Sequence, residues 1–300
     1  MTGDPQARPS VETVGIKHPL VGQLRRLARR RRERMERAQF LVEGTILVEV
    51  ALDAGAEIEL IVRDSAGAVD DRVAGVVERA ATAGIRVVDL APGAMPRISD
   101  SVTPQPLAAV VHRATVSLAD ALGASIDQQR PLVVLAEVAD PGNAGTLLRS
   151  AEAAGCAAVI SCGGVDPFGP KTVRSSAGAV FLIPIVEAES LRLTLAALGD
   201  AGVGRVGLAA HGGEDLERSD LGGAVAIVLG SESHGLPDGL DRALDQVVTI
   251  ATEGRGESLN VAMAGTLAVF EAARQRRWTG QPVDRNRLDA TRPDDKAPGR

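Results

Sequence analysis

Between residues 131 and 278 the chain alternates apolar runs of strand length with amphipathic helical stretches. This alternation most narrows what the chain can fold into. Pro131 opens it. Leu132 to Val138 reads as a strand, Ala144 to Ala154 as a helix, Ala157 to Ser161 and Val180 to Val186 as strands, and Leu191 to Leu198 as a helix. Strands follow at Val206 to Ala210, Val225 to Leu229 and Val247 to Ile250, and a last helix runs from Ser258 to about Arg277. Strands that are apolar almost throughout leave no face for water. Joined through helices, they predict an α/β fold with a parallel sheet covered on both faces.

A shorter alternation precedes it. Residues 1–15 read as a flexible tail, and one long helix is expected from His18 to Arg37. Phe40 to Val42 is a strand, and Glu43-Gly44 leads into a helix through Leu52. Ile58 to Val62 is a strand, Val69 to Ala83 a helix, and Ile85 to Leu90 and Leu107 to His112 are strands. The pattern predicts a small α/β domain over residues 16–114. Residues 115–130 read as a polar linker. Residues 279–300, with Pro282, Pro293 and Pro298, read as a disordered tail.

The net charge is −6, yet residues 17–37 carry nine basic residues against two acids. Eight of the nine are Arg, whose planar fork matches phosphate oxygens. Arg29, Arg30, Arg31 and Arg32 are therefore candidates for RNA phosphate, against the bland alternative of a solvated helix face. Aromatic residues make up 2% of the chain and Tyr is missing, so stacking platforms for bases are scarce. Backbone charge and shape should dominate any RNA contact. Cys156 and Cys162 stand without a second pair, and His18, His112, His211 and His234 are scattered, so no metal site is expected. No apolar run reaches membrane-span length and residues 1–10 hold no signal-peptide core, which sets a cytoplasmic expectation.

Gly202 to Gly207 spells G-x-G-x-x-G, but it follows a helix and enters a strand. A dinucleotide fingerprint needs the reverse order, so these glycines read as a helix stop and loop. Three other segments place polar groups where apolar strands end, which is where open α/β sheets bind ligands. The first, Asp140 to Arg149, holds Asn143 and Arg149. The second, Val228 to Pro237, holds Gly230 and Glu232. The third is Ser258-Leu259-Asn260-Val261. Asn143 can donate and accept. Gly230 lets a ligand approach the backbone. Glu232 is suited to act as a base or to orient an Arg, or it compensates a helix terminus. Ser258 is either an active-site hydroxyl or the cap of the last helix.

Together and in this order, the three segments resemble the motifs of the SpoU (TrmH-type) RNA ribose 2′-O-methyltransferases, over roughly residues 131–278. The resemblance implies a SPOUT-type catalytic domain with a trefoil knot, a homodimer, and S-adenosylmethionine as methyl donor. It implies catalytic roles for Asn143, Arg149, Glu232, Ser258 and Asn260. A cofactor pocket would form at Ala209, Ala210, Leu229, Gly230, Ile250, Ser258 and Leu259. Pro170 to Ala179 also looks like the family, with Lys171 and Arg174 meeting RNA phosphate. The Arg-rich helix followed by Phe40 to Thr45 is similar to the substrate-binding domain that precedes the catalytic one in many members. Ala251-Thr252 and Ala262 depart from the usual motif residues, as changes expected at the pocket rim. Ribosomal RNA is the expected substrate. A transfer RNA substrate, or an RNA-binding protein without activity, is the alternative.

Overall fold

The computed structural model describes residues 12–66, 70–237, 239–254 and 258–278. Of the flexible tail expected at residues 1–15, residues 1–11 lie outside the described residues, as does the disordered tail expected at 279–300. The chain divides into two compact units, one of residues 1–114, 140–149 and 165–182, the other of residues 115–139, 150–164 and 183–300.

The first unit begins with β1 (Glu12–Val14), α1 (Pro19–Arg29), α2 (Arg31–Arg37), β2 (Gln39–Glu43) and α3 (Thr45–Asp53). It continues with β3 (Ile58–Asp64), α4 (Asp71–Thr82), β4 (Arg86–Leu90), α5 (Met95–Ile98) and β5 (Leu107–His112). Its sheet runs β1-β4-β3-β5-β2, with β5 antiparallel to both neighbours. One face of that sheet and the buried stripe of α1, Leu20, Val21, Leu24, Leu27 and Ala28, share a core. The spacing of these five residues marks one helix face, and Pro19 suits the first turn, where its missing N–H costs nothing.

Two expectations fail here. Residues 12–14 are a strand, paired in parallel with β4, and Val14 sits in the core. A three-residue strand among polar neighbours carries too little pattern to be seen. The long helix at 18–37 is broken at Arg30, which is extended (φ −123°, ψ 112°). The break lets the buried Arg34 guanidinium take the carbonyls of Leu27 and Ala28 at 2.7 and 3.3 Å. An unbroken helix would give those oxygens to residues 31 and 32.

The chain then passes through α6 (Leu118–Gln128), β6 (Leu132–Ala136), α7 (Pro141–Ala154), β7 (Ala158–Cys162), α8 (Pro170–Ser175) and β8 (Ile185–Ala188). It ends with α9 (Leu191–Asp200), β9 (Gly204–Leu208), β10 (Glu214–Asp215), β11 (Val225–Leu229), β12 (Gln246–Thr249) and α10 (Val261–Trp278). The second unit holds a seven-stranded sheet, β10-β12-β9-β11-β6-β7-β8. Every pairing in it is parallel, as the apolar runs predicted. The glycines at 202–207 join α9 to β9, so the dinucleotide reading is excluded by element order.

The linker expected at 115–130 is instead the helix α6. Ser117 caps it, accepting from the Asp120 N–H at 3.1 Å. Ala121 is buried, and Leu118 and Leu122 pack against the core of the second unit. The strand expected at 180–186 is also corrected. Ala179–Phe181 forms a single 3-10 turn, and the strand begins only at Ile185, after Pro184. Proline donates no ladder hydrogen bond and biases the residue before it out of helix, which separates the two elements.

Candidate functional site

In the second unit, three parallel strands and one helix end around a cavity of about 360 Å³. Leu208, Ala209 and Ala210 follow β9. Leu229, Gly230, Ser231, Glu232 and Gly235 follow β11. Ile250 and Thr252 follow β12, and Ser258 to Val261 with Ala264 open α10. All seven residues expected to hold the cofactor line this space, and so do Glu232 and Asn260. The cavity lies at the carboxyl ends of the strands, as in other open α/β sheets.

The turn after β11 explains how the backbone comes so close. The Ser231 N–H donates to the Gly235 carbonyl and the Gly235 N–H to the Ser231 carbonyl, both at 2.9 Å. The turn folds back on Gly230. A Cβ there would stand 2.1 Å from Gly235 backbone atoms and 2.4 Å from the Leu236 nitrogen. Only glycine fits without moving that turn. Glu232 projects from the same turn, and its Oε2 accepts from the Ala139 N–H at 3.1 Å. Ala139 follows closely on Glu137, a non-glycine residue in the left-handed region at φ 60°. Such a conformation costs on the order of 1 kcal/mol, and strain of this kind gathers at functional loops.

Asn260, not Ser258, caps α10. Its side-chain oxygen accepts from the Ala262 and Met263 N–H groups at 2.9 and 3.3 Å. Ser258 therefore stands outside the helix and faces the cavity as a hydroxyl. Of the departures, Thr252 lines the cavity, whereas Ala262 is buried in α10 and is not a rim residue.

Asn143 and Arg149 are not among the residues lining this cavity. Both are on α7, in the stretch that clusters with the first unit. Asp140 caps that helix, accepting from the Asn143 N–H at 2.9 Å. Arg149 is exposed. At Gly145 a Cβ would meet the Ser175 Oγ at 2.3 Å and the Thr172 carbonyl at 2.7 Å, so α7 packs directly on α8. Lys171 on α8 is exposed. Arg174 is half-buried and grips Asp100 with both terminal nitrogens, at 2.6 and 3.3 Å.

Arg29 to Arg32 are all exposed around the break between α1 and α2. The run is less naked than its sequence suggests. Arg32 pairs with Glu36 at 2.6 Å, and Glu33 takes both Arg26 and Arg37. Those contacts hold the Glu33 carboxyl below its ordinary range, through hydrogen bonds from Arg37 and Arg26. Exposed pairs like these contribute little to stability.

Sequence reasoning alone passes over Leu208, Ser231, Gly235, Val261 and Ala264 as cavity residues. Ser231 and Gly235 lie inside a segment whose polar groups already mark it. Val261 and Ala264 could have been found from the helix period, since both fall within one turn of Asn260. Leu208 carries no signal beyond its strand. Among the described residues, no three His, Cys, Asp or Glu side chains come together to hold a metal ion. No helix among them is long and apolar enough to cross a membrane.

Comparison with known proteins adds a family. The SpoU rRNA Methylase family matches residues 130–270, and the MRM3-like substrate binding domain matches residues 18–109. The 23S rRNA (guanosine(2553)-2'-O)-methyltransferase RlmP of Bacillus subtilis is 33% identical over 242 residues, covering 80% of this chain and 90% of that protein. The 23S rRNA (guanosine-2'-O-)-methyltransferase RlmB of Vibrio cholerae is 34% identical over 70% of this chain and 86% of its own length. Among solved structures, the AdoMet-bound rRNA methyltransferase from Sinorhizobium meliloti matches with a TM-score of 0.77. It is 31% identical and covers 88% of this chain and 98% of that one.

Proposed function

The chain belongs to the SpoU rRNA Methylase family, and we propose that it transfers a methyl group from S-adenosylmethionine to a ribose 2′-hydroxyl of ribosomal RNA. The observation that carries this reading is the cavity beyond β9, β11 and β12. Its lining combines apolar walls, Leu208, Leu229, Ile250, Leu259 and Val261, with the polar Ser231, Thr252, Ser258 and Asn260. At about 360 Å³ it is of the size that takes a small-molecule ligand. The backbone approach at Gly230, which a Cβ would block, suits a ligand held by main-chain groups.

S-adenosylmethionine supplies an electrophilic methyl group when bound. The protein has two tasks, to place a ribose hydroxyl in line and to ease the loss of its proton. Arg149 supplies a guanidinium fork that matches phosphate oxygens. It holds the phosphate beside the target ribose, and its charge favours the ionised hydroxyl. Glu232 supplies the carboxylate, as base or as the group orienting an Arg. Asn143, Ser258 and Asn260 orient the hydroxyl and donor by hydrogen bonding. Arg29 to Arg32, Lys171 and Arg174 meet RNA phosphates.

The finer architecture belongs to the same reading. Residues 16–114 form the substrate domain, residues 131–278 a catalytic domain whose C-terminal segment threads a trefoil knot, and the chain works in the cytoplasm as a homodimer. The dimer is supported by α10. Ala268, Val269, Ala272 and Ala273 are buried on one of its faces, while Met263, Leu267 and Phe270 are 63%, 49% and 42% exposed on the other.

The test is calorimetric titration with S-adenosylmethionine, followed by methyl transfer to ribosomal RNA lacking the modification. Binding is expected for S-adenosylmethionine and not for NAD. Arg149→Ala should abolish transfer while leaving the melting temperature nearly unchanged. Absence of S-adenosylmethionine binding at millimolar concentration would sink the proposal.

A further inference from the structure

We infer that the buried Arg34–Asp166 ion pair is a positioning element, which sets the spacing between two cationic segments that meet RNA phosphates. The inference rests on the proposed reading of Arg29 to Arg32 and Lys171 as phosphate-binding residues, and it lies wholly within the first compact unit. Each side chain of the pair is 7% exposed, and the Arg34 Nε donates to the Asp166 Oδ2 at 2.7 Å. The two residues are 132 positions apart in the chain.

Each partner organises a piece of backbone next to a cationic segment. On one side, Arg34 Nη1 holds the Leu27 and Ala28 carbonyls, immediately before Arg29 to Arg32. On the other, Asp166 builds the turn that starts α8. Its Oδ1 accepts from the Phe168 N–H at 2.9 Å, and its backbone carbonyl accepts from the Gly169 N–H and the Thr172 hydroxyl, both at 3.0 Å. Lys171 lies inside that turn. Phe168 packs on Phe40 with ring centroids 5.1 Å apart, and the Arg113 guanidinium sits 4.7 Å over the Phe168 ring. One guanidinium, that of Arg34, thus ties the break between α1 and α2 to the first turn of α8.

A buried ion pair is a poor device for stability alone, because well-packed apolar residues of similar shape often serve as well or better. What an apolar pair lacks is directional hold on two backbones at once. RNA phosphates recur at set spacings, so cations held at one spacing bind them with less ordering cost than cations on separately mobile segments.

The test is the double variant Arg34→Met with Asp166→Asn, which removes both charges of the pair together. RNA binding is measured across a salt series on the full chain, beside Lys171→Ala and the Arg29–Arg32→Gln quadruple variant. The double variant should keep its S-adenosylmethionine affinity and bind RNA about tenfold more weakly. Its log affinity against log salt should flatten by roughly 0.7 to 0.9 for each phosphate that the protein no longer neutralises. Adding Lys171→Ala to it should cost little more, because both changes act on the same phosphates. A role in stability alone would lower the melting temperature and leave the slope as in wild type, and that result overturns the inference. Wild-type binding by Lys171→Ala and the quadruple variant would instead overturn the phosphate-binding reading beneath it. If the double variant does not fold, Arg34→Lys carries the test. It keeps a cation against Asp166 and loosens the grip on Leu27 and Ala28. Weaker RNA binding at unchanged cofactor affinity supports the inference, and wild-type affinity and slope overturn it.

Discussion

Cys156 and Gly230 are single residues whose roles are set by what surrounds them. At Gly230 the decisive neighbour is the returning turn of Gly235 and Leu236, five and six positions on. The sequence already marks Gly230 as a point of close approach, because it ends an apolar strand and begins a polar stretch. It cannot mark Gly145, a glycine inside a helix, whose partner on α8 comes from a distant part of the chain. Cys156 is a small buried residue, and burial raises its thiol pKa from 9.0 to about 12. A thiol whose folded pKa lies above its unfolded value stabilises the fold fully below pH 9. That contribution is lost as the pH rises through the interval to about 12. The stability difference between wild type and Cys156→Ala should therefore shrink above pH 9, by up to about 1.4 kcal/mol per pH unit. Denaturant unfolding of both proteins at pH 8 and pH 10 measures it. Parallel losses in the two would show that burial does not raise the Cys156 thiol above its unfolded value.

At the scale of elements, the cap of α10 separates folding from chemistry. Asn260 accepts two N–H groups of the first turn and also lines the cavity, so one side chain serves the helix and the site. Asn260→Ala should destabilise the protein by about 1 kcal/mol, the usual cost of losing a cap. Asn260→Ser restores the cap, so its melting temperature should return toward wild type. If the amide itself orients the reacting groups, methyl transfer should stay reduced in both variants. Full activity in the serine variant would reduce Asn260 to a cap. The elements that sequence reasoning misplaces share a cause. α6 packs a narrow stripe, Leu118, Ala121, Leu122 and Ala124, which a polar background hides. The break at Arg30 leaves no local mark at all, since every residue around it is an acceptable helix former. It is tied to Arg34, whose partner Asp166 arrives from far along the chain.

For the molecule as a whole, α10 leaves Met263, Leu267 and Phe270 uncovered on one face. On the homodimer reading a second copy covers them. Replacing Leu267 and Phe270 with Glu should convert the dimer to monomer in sedimentation velocity, with the far-ultraviolet spectrum of the helices retained. A wild-type protein that sediments as a monomer at tens of micromolar would rule out the dimer. The strand-length apolar runs determined by themselves that residues 131–278 build a parallel sheet, because strands buried on both faces admit no polar alternation. The polar groups at the strand ends marked Gly230, Glu232, Ser258 and Asn260, which line the cavity, and also Asn143 and Arg149, which do not, since such sheets expose their carboxyl ends to ligands. Tertiary structure alone decided the rest. It moved residues 140–149 and 165–182 into the compact unit of the N-terminal segment, broke the basic helix at Arg30, and buried Arg34 against Asp166. Those outcomes depend on which distant groups meet, and local periodicity carries information only about near neighbours along the chain.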